Sequence, residues 1–99
     1  MIEQQYLKVL GKICTRLKDH QIDWAVTGSL GMALQGMEIE VHDIDLQTDQ
    51  QGSYALDNLF PEYVVKHVHY SISERIRSYL SVMEIDGIKV DSWVTFKKD

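Results

Sequence analysis

Apolar residues recur at helical spacing along the first twenty residues, with charged side chains on the opposite side of the stripe. This pattern predicts an amphipathic helix over about residues 2–19, and we expect its apolar stripe to pack into the core. Cys14 falls on that stripe and is therefore expected to be a buried, inert thiol.

Five later segments have the β-branched and apolar content or the alternation of strands. They cover about residues 24–27, 41–47, 63–70, 79–85 and 88–96. Asp86-Gly87 separates the last two segments and is a strong signal for a two-residue hairpin turn. Such a turn places Glu84 opposite Lys89, where their charges attract.

Two further helices are predicted between the strands. The first follows the Gly28-Ser29 break, covers residues 30–35 and ends at Gly36. Thr48 is predicted to cap the second, which reaches about residues 59–60 before Pro61. The order α, β, α, β, α, β, β, β predicts an α+β fold, a mixed sheet of about five strands with helices on one face. The other face is left open and carries acidic side chains.

Length and composition predict one domain over residues 1–99, because 99 residues have room for a single core. We expect a cytoplasmic protein: no apolar run reaches the ~18 residues of a membrane helix, and the first residues do not resemble a signal peptide. The single cysteine excludes a disulfide framework and a Cys-rich zinc site.

The net charge of −5 disfavours non-specific binding to nucleic acid, which requires a basic surface. An acidic excess is typical either of an ordinary solvated surface or of carboxylates gathered around cations. The motifs must decide between these two interpretations.

Three features of the sequence could together form one chemical site. Gly28-Ser29 lies where a strand turns into a helix, and unpaired N–H groups at a helix start can bind phosphate oxygens. Asp43 and Asp45 alternate along a strand, so both carboxylates share a face and favour a hard cation such as Mg²⁺. Asp91 interrupts an apolar strand and requires a partner, which a shared metal would supply.

Each feature alone has an ordinary structural explanation, namely a capped turn, a solvated strand and an exposed acid. Other residues are similarly ambiguous. Arg75 and Arg77 could bind triphosphate oxygens or lie in a solvated loop. His67 and His69 alternate on one strand, where they could chelate zinc or simply face solvent.

The run Val26-Thr27-Gly28-Ser29, followed after thirteen residues by Asp43-Ile44-Asp45-Leu46, resembles the signature of the DNA polymerase beta-like nucleotidyltransferase superfamily. Asp91 falls where that superfamily keeps its third carboxylate. The stretch 42–49 is similar to small bacterial nucleotidyltransferases of the minimal or antibiotic-modifying type. The resemblance covers about residues 5–95 and implies a palm-like nucleotidyltransferase fold.

The resemblance also implies a role for each matching residue. Gly28 and Ser29 would hold the β- and γ-phosphates of ATP or another nucleoside triphosphate. Arg75 and Arg77 are further candidate nucleotide contacts, but on the chemistry of arginine alone and not from the resemblance. Asp43 and Asp45 would bind two Mg²⁺ ions. Asp91 would complete the first metal site and help to activate a hydroxyl on a small-molecule or protein acceptor, with release of pyrophosphate.

The chain ends at Asp99, whereas such relatives commonly continue into a helical region that holds the acceptor. A second copy or a helical protein partner could supply that surface, the protein could have been trimmed, or the domain could have lost turnover. Two other functions therefore stay open. One is an antitoxin-type minimal nucleotidyltransferase that binds or AMPylates a helical toxin, and the other is a non-catalytic nucleotide-binding module.

Overall fold

The computed structural model describes residues 2–72 and 77–94, with the side chains of residues 71, 72, 77 and 78 left aside. The described elements are three helices and five strands. The helices are α1 (Gln4–Leu17), α2 (Gly28–Leu34) and α3 (Gln50–Leu59), and the strands are β1 (Trp24–Thr27), β2 (Ile44–Thr48), β3 (Val64–Ile72), β4 (Arg77–Ile85) and β5 (Ile88–Val94). The α+β class and the predicted order of elements are confirmed.

The five strands form one mixed sheet in the order β1-β2-β5-β4-β3. β2 and β5 are parallel, while the β1–β2, β5–β4 and β4–β3 pairs are antiparallel. The last strand of the chain is thus inserted beside β2, between the first and second halves of the sheet. This insertion brings two acidic strands side by side.

A single hydrophobic core lies between the helices and one face of the sheet. It joins side chains of all three helices, such as Ile13, Leu30 and Leu56, to strand residues such as Leu46 and Val90, and each of these five is fully buried. Burying a side chain of this size contributes about 1.5–3 kcal/mol. The opposite face of the sheet has no helix on it among the described residues, as the sequence predicts.

The hairpin between β4 and β5 has the predicted two-residue turn. Asp86 and Gly87 both have positive φ, at 53° and 82°, as a type I′ turn requires. The register therefore places Glu84 opposite Lys89, as predicted, while the Lys89 ammonium lies 3.7 Å from Asp91 Oδ2 on the same strand.

Two local predictions on the helices are wrong. Cys14 is exposed, because the buried stripe of α1 is narrow and Cys14 lies about 100° around the helix from Ile13. The N-cap of α3 is Asp49, whose Oδ1 accepts a hydrogen bond from the Gly52 N–H at 2.6 Å. Thr48 instead ends β2 and donates its hydroxyl hydrogen to the Asp23 main-chain oxygen at 2.6 Å.

The predicted pairing of His67 with His69 on one face is also wrong. The register of β3 against β4 shifts between Val64 and Lys66 and again between Lys66 and His69. Because of this irregularity, His67 contacts Asp57 of α3, with Nδ1 at 3.0 Å from Oδ2, while His69 lines a groove with β4 and β5 residues. The two imidazoles therefore do not form a chelating pair.

No helix in the described part of the chain is long and apolar enough to cross a membrane.

We expect the same substitution, Gly to Ala, to have opposite effects in α1 and α2. A Cβ on Gly31 would lie 2.7 Å from the main-chain oxygen of Val26, so Gly31→Ala must push α2 away from β1. We expect a loss of about 1–3 kcal/mol in the free energy of unfolding. A Cβ on Gly11 meets nothing within 4 Å, so Gly11→Ala should add up to about 1 kcal/mol through helix propensity. Urea unfolding of both variants checks this, and equal effects would contradict the close packing of α2.

Candidate active site

The parallel register of β2 and β5 places Asp45 directly beside Asp91. Each strand alternates, so that Ile44, Leu46 and Val90 face the core while the two acids face the open side of the sheet. Two carboxylates on neighbouring strands of one sheet face are close enough to interact strongly.

Both carboxylates are partly withdrawn from water. Burial raises the pKa of Asp45, and the charges of Asp91 and Asp43 raise it further against a smaller opposing effect of Lys89. Burial also raises the pKa of Asp91, opposed by Lys89, whose Nζ lies 3.7 Å from Asp91 Oδ2. The folded chain therefore holds two acids in a place where their ionised forms are disfavoured.

Asp43 lies just before β2 rather than within the strand. The ladder with β1 stops at the pair Thr27 and Asp45, because the chain turns into α2 at Gly28 and offers no further strand partner. Asp43 is nevertheless near the pair, since its charge raises the pKa of both Asp45 and Asp91. The three predicted acids thus form one electrostatic group.

The donors of this group suit Mg²⁺, because they are oxygen atoms of carboxylates whose mutual repulsion a bound cation would relieve. Within residues 2–72 and 77–94, no three His, Cys, Asp or Glu side chains converge as a ready metal cage. Mg²⁺ does not require one, since it keeps several waters and takes phosphate oxygens of a substrate beside one or two carboxylates. The adjacent acids therefore fit the ion.

Gly28 lies against the Asp45 carboxylate. A Cβ at this position would be 2.1 Å from Asp45 Oδ2, and the φ of Gly28 is +65°, which side-chain-bearing residues rarely adopt. Glycine is therefore required here both for the turn and for the close approach. It lets the first residue of α2 lie beside an acid that the sheet holds in place.

The start of α2 leaves its N–H groups without a side-chain cap, because Thr27 makes no capping hydrogen bond. The Thr27 hydroxyl instead donates to the main-chain oxygen of Asp45 at 3.5 Å. Ser29, the second residue of the helix, is half-buried. The start of α2, with its main-chain donors, thus lies next to the Asp45 carboxylate, and Ser29 is the next residue of that turn.

A groove of about 270 Å³ lies on the open face, on the other side of Asp91 from Gly28. Its lining includes Lys66 and His69 of β3, Leu80 and Val82 of β4, and Asp91 and Trp93 of β5. The sequence alone does not reveal this groove, because it depends on the pairing of β3, β4 and β5. The sequence offers one signal for the groove, the alternation of Leu80 and Val82, which places both apolar side chains on the same face of β4.

The structure brings Gly28, Asp45 and Asp91 together, with Ser29 and Asp43 beside them. Arg75 lies outside the described residues. Arg77 is the first residue of β4, and its side chain lies outside the described part of the structure. Neither arginine is therefore assigned to the site.

Comparisons with known proteins show the family and the fold of this chain. Residues 9–97 match the sequence profile of the aminoglycoside-2''-adenylyltransferase family. The fold matches a crystal structure of a proposed nucleotidyltransferase from Thermotoga maritima with a TM-score of 0.91 and 51% sequence identity. That match covers 93% of this chain and 57% of the other, so this chain spans little more than half the length of its structural relative. A comparison with proteins of curated function gave no match.

We expect Asp45→Asn to stabilise the metal-free fold. Because the pKa of Asp45 is raised, its ionisation disfavours the folded state, and stability falls as the pH rises from the ordinary aspartate pKa through the raised one. The amide resembles the protonated acid, so the variant should melt a few degrees above the wild type at about pH 7 in EDTA. The difference should vanish at about pH 3, where the carboxyl is protonated in both states.

The matched control is Asp19→Asn, which removes the same charge from an exposed residue after α1. A variant of Asp45 that melts below the wild type at neutral pH, or a control that gains as much, would contradict the destabilisation of ionised Asp45 by burial and by the neighbouring acids.

Proposed function

Because this chain belongs to the aminoglycoside-2''-adenylyltransferase family, we propose that it transfers a nucleoside monophosphate to a hydroxyl group and releases pyrophosphate. We propose ATP as the donor, with other nucleoside triphosphates as alternatives. The observation that carries the proposal is the contact of Gly28 with Asp45 beside the paired Asp91. This contact would bring N–H groups that bind phosphate next to carboxylates that bind cations.

Asp45 and Asp91, with Asp43 beside them, would hold two Mg²⁺ ions. When bound, these ions would neutralise the triphosphate and stabilise the charge on the attacking and leaving oxygens. The role of the carboxylates is to hold these ions in place. Two strands whose other faces are buried fix the carboxylates, so their arrangement is set before a substrate binds.

The first turn of α2 would bind the phosphates that leave. Gly28 contacts Asp45, and the N–H groups of Gly28 and Ser29 together with the Ser29 hydroxyl are the donors of this turn that would hold the β- and γ-phosphates. Phosphoryl-type transfer depends mainly on positioning and charge neutralisation, so these fixed donors account for much of what the site must do.

Asp91 is the acid next to the groove and is therefore the carboxylate nearest to an acceptor. In the transfer, the acceptor oxygen forms a bond to the α-phosphorus, the bond from that phosphorus to the bridging oxygen breaks, and the hydroxyl proton leaves. Asp91 lines the groove and is the carboxylate to which we assign that proton. The acceptor is a small molecule or a protein side chain.

Isothermal titration with Mg²⁺ and a non-transferable analogue, α,β-methylene-ATP, tests the nucleotide site directly. We expect Asp45→Asn and Asp91→Asn to weaken binding by at least about tenfold, since even the loss of a group behind a metal ligand costs about 10–100-fold. Asp19→Asn should bind like the wild type. In EDTA all four proteins should bind poorly, because the uncompensated acids repel the triphosphate.

Equal affinity of the wild type and both site variants would refute the assignment of the acids. Mg²⁺-dependent binding without release of pyrophosphate from ATP, in the presence of diverse hydroxyl compounds, would favour the non-catalytic module. Transfer of labelled AMP to a co-purified helical protein would instead favour the antitoxin-type function.

A further inference from the structure

Asp43 differs from the other two acids of the site in how the fold holds it. Asp45 and Asp91 lie within β2 and β5 and are paired in the register of these strands. Asp43 precedes β2, whose pairing with β5 begins at Ile44 and whose pairing with β1 ends at Asp45. Asp43 thus has no partner residue in either of these ladders, and contacts from outside the sheet must help to fix its position.

The segment between α2 and β2 leads the chain to Asp43. Residues 37–43 of this segment belong to no helix or strand. Val41 is their one buried residue, at 9% exposure, and it joins the hydrophobic core. Apolar packing has no preferred direction, so Val41 holds the segment against the core without fixing the orientation of the peptide groups that follow. Fixing that orientation requires a directional contact.

Tyr6, the third residue of α1, supplies this contact. It is buried in the core, and its hydroxyl donates a hydrogen bond to the main-chain oxygen of His42 at 3.2 Å. A buried tyrosine hydroxyl generally takes a hydrogen-bond partner. The partner here is the carbonyl of the peptide group that joins His42 to Asp43. Because a peptide group is planar, fixing this oxygen also fixes the Asp43 nitrogen and the direction in which the chain enters Asp43.

The contact acts on the main chain of His42 and not on its side chain. The imidazole of His42 is exposed, and its Nε2 lies 3.8 Å from Oε2 of Glu40, which is exposed as well. Tyr6 belongs to the core between the helices and the sheet, whereas the acids of β2 and β5 face the open side of the sheet. Tyr6 therefore acts on the acidic group by way of the peptide group before Asp43.

We propose that the Tyr6 hydroxyl is a positioning group for Asp43: it fixes the peptide plane before Asp43 and thereby sets where this carboxylate stands beside Asp45. The inference rests on the proposed function, in which the carboxylates hold two Mg²⁺ ions. Mg²⁺ demands a strict arrangement of its ligands, so a carboxylate that is free to move binds the ion less well. A core residue of α1 thus tunes a site on the other face of the sheet.

Relaxation of ¹⁵N nuclei in the metal-free protein tests the contact directly, because the Asp43 N–H belongs to the peptide group that Tyr6 holds. We expect the order parameter of this N–H to be near the ~0.85 of a rigid backbone in the wild type and to fall toward the ~0.6 of a flexible one in Tyr6→Phe. Asp45, which the strands hold, should stay rigid in both proteins. Phenylalanine keeps the ring in the core, so the variant should fold and melt within several degrees of the wild type.

Mn²⁺, which accepts the same oxygen ligands and is visible by electron paramagnetic resonance, replaces Mg²⁺ in a second test with saturating α,β-methylene-ATP. We expect Tyr6→Phe to raise the dissociation constant of Mn²⁺ about tenfold and Asp43→Asn to raise it at least as much. Tyr6→Phe should add nothing further in the Asp43→Asn background, because it acts through that carboxylate.

The matched control is Tyr63→Phe, which also removes a hydroxyl from a tyrosine packed against the core. Tyr63 is half-buried beside Arg16 and lies just before β3, the edge strand farthest from β1. This variant should bind Mn²⁺ like the wild type.

Three results would overturn the inference: an Asp43 order parameter that does not change in Tyr6→Phe, a Tyr63→Phe variant that loses as much Mn²⁺ affinity, or losses from Tyr6→Phe and Asp43→Asn that simply add. The two measurements also separate this inference from the proposed function. If the wild type binds no Mn²⁺ with the analogue, the proposed function fails, whereas a loss of rigidity at Asp43 still supports the positioning contact. If Asp43→Asn loses Mn²⁺ affinity and Tyr6→Phe does not, the positioning role alone is refuted.

Discussion

The parallel pairing of β2 with β5 is the contact on which the rest of the molecule depends. Ile44 and Val90 face each other in this pairing and are completely buried, as is Leu46. A slip of one residue would turn these side chains outward, so the core fixes the register. The same register sets Asp45 beside Asp91. Hydrophobic burial thus supplies the free energy that holds the two acids in a partly buried place, where burial first and neighbouring charges second raise their pKa values.

Gly28 connects this sheet-borne pair to the start of α2. Its missing side chain is the reason that a helix start and a carboxylate can occupy neighbouring positions. The helix is itself held tightly, because Gly31 packs against the Val26 main chain. The positions of the anion-binding and cation-binding groups are therefore coupled through rigid packing, so neither can shift without the other.

Features decided by neighbouring residues were predictable from the sequence. The bounds of β1 and the two-residue turn at Asp86-Gly87 follow from local chemistry, and both are confirmed. The spacing of Gly28, Asp45 and Asp91 likewise pointed to one family before any geometry was known. What the sequence could not state was that Asp45 and Asp91 are directly paired, because this depends on the insertion of β5 beside β2.

The wrong predictions come from competing contacts that a linear pattern does not contain. Thr48 and Asp49 are both good capping residues, and Asp49 caps α3 because the Thr48 hydroxyl is engaged by the chain before β1. His67 and His69 alternate in the sequence, yet the shifts of register in β3 separate them. The groove beside Asp91 also depends on contacts between distant segments.

The irregularity of β3 has a consequence for how the molecule meets its own copies. β3 is an edge strand, and a regular edge with open main-chain groups invites another chain to extend the sheet. Here the register shifts twice, and the Asp57 carboxylate turns inward to accept a hydrogen bond from the Val68 N–H at 3.5 Å. The register of β3 is irregular, the strand carries the exposed Lys66, and one of its N–H groups is already bonded within the chain. Such an edge is a poor template for the addition of another strand. Among the described residues the sheet can therefore leave one face without a helix while this edge resists pairing with the strands of other copies.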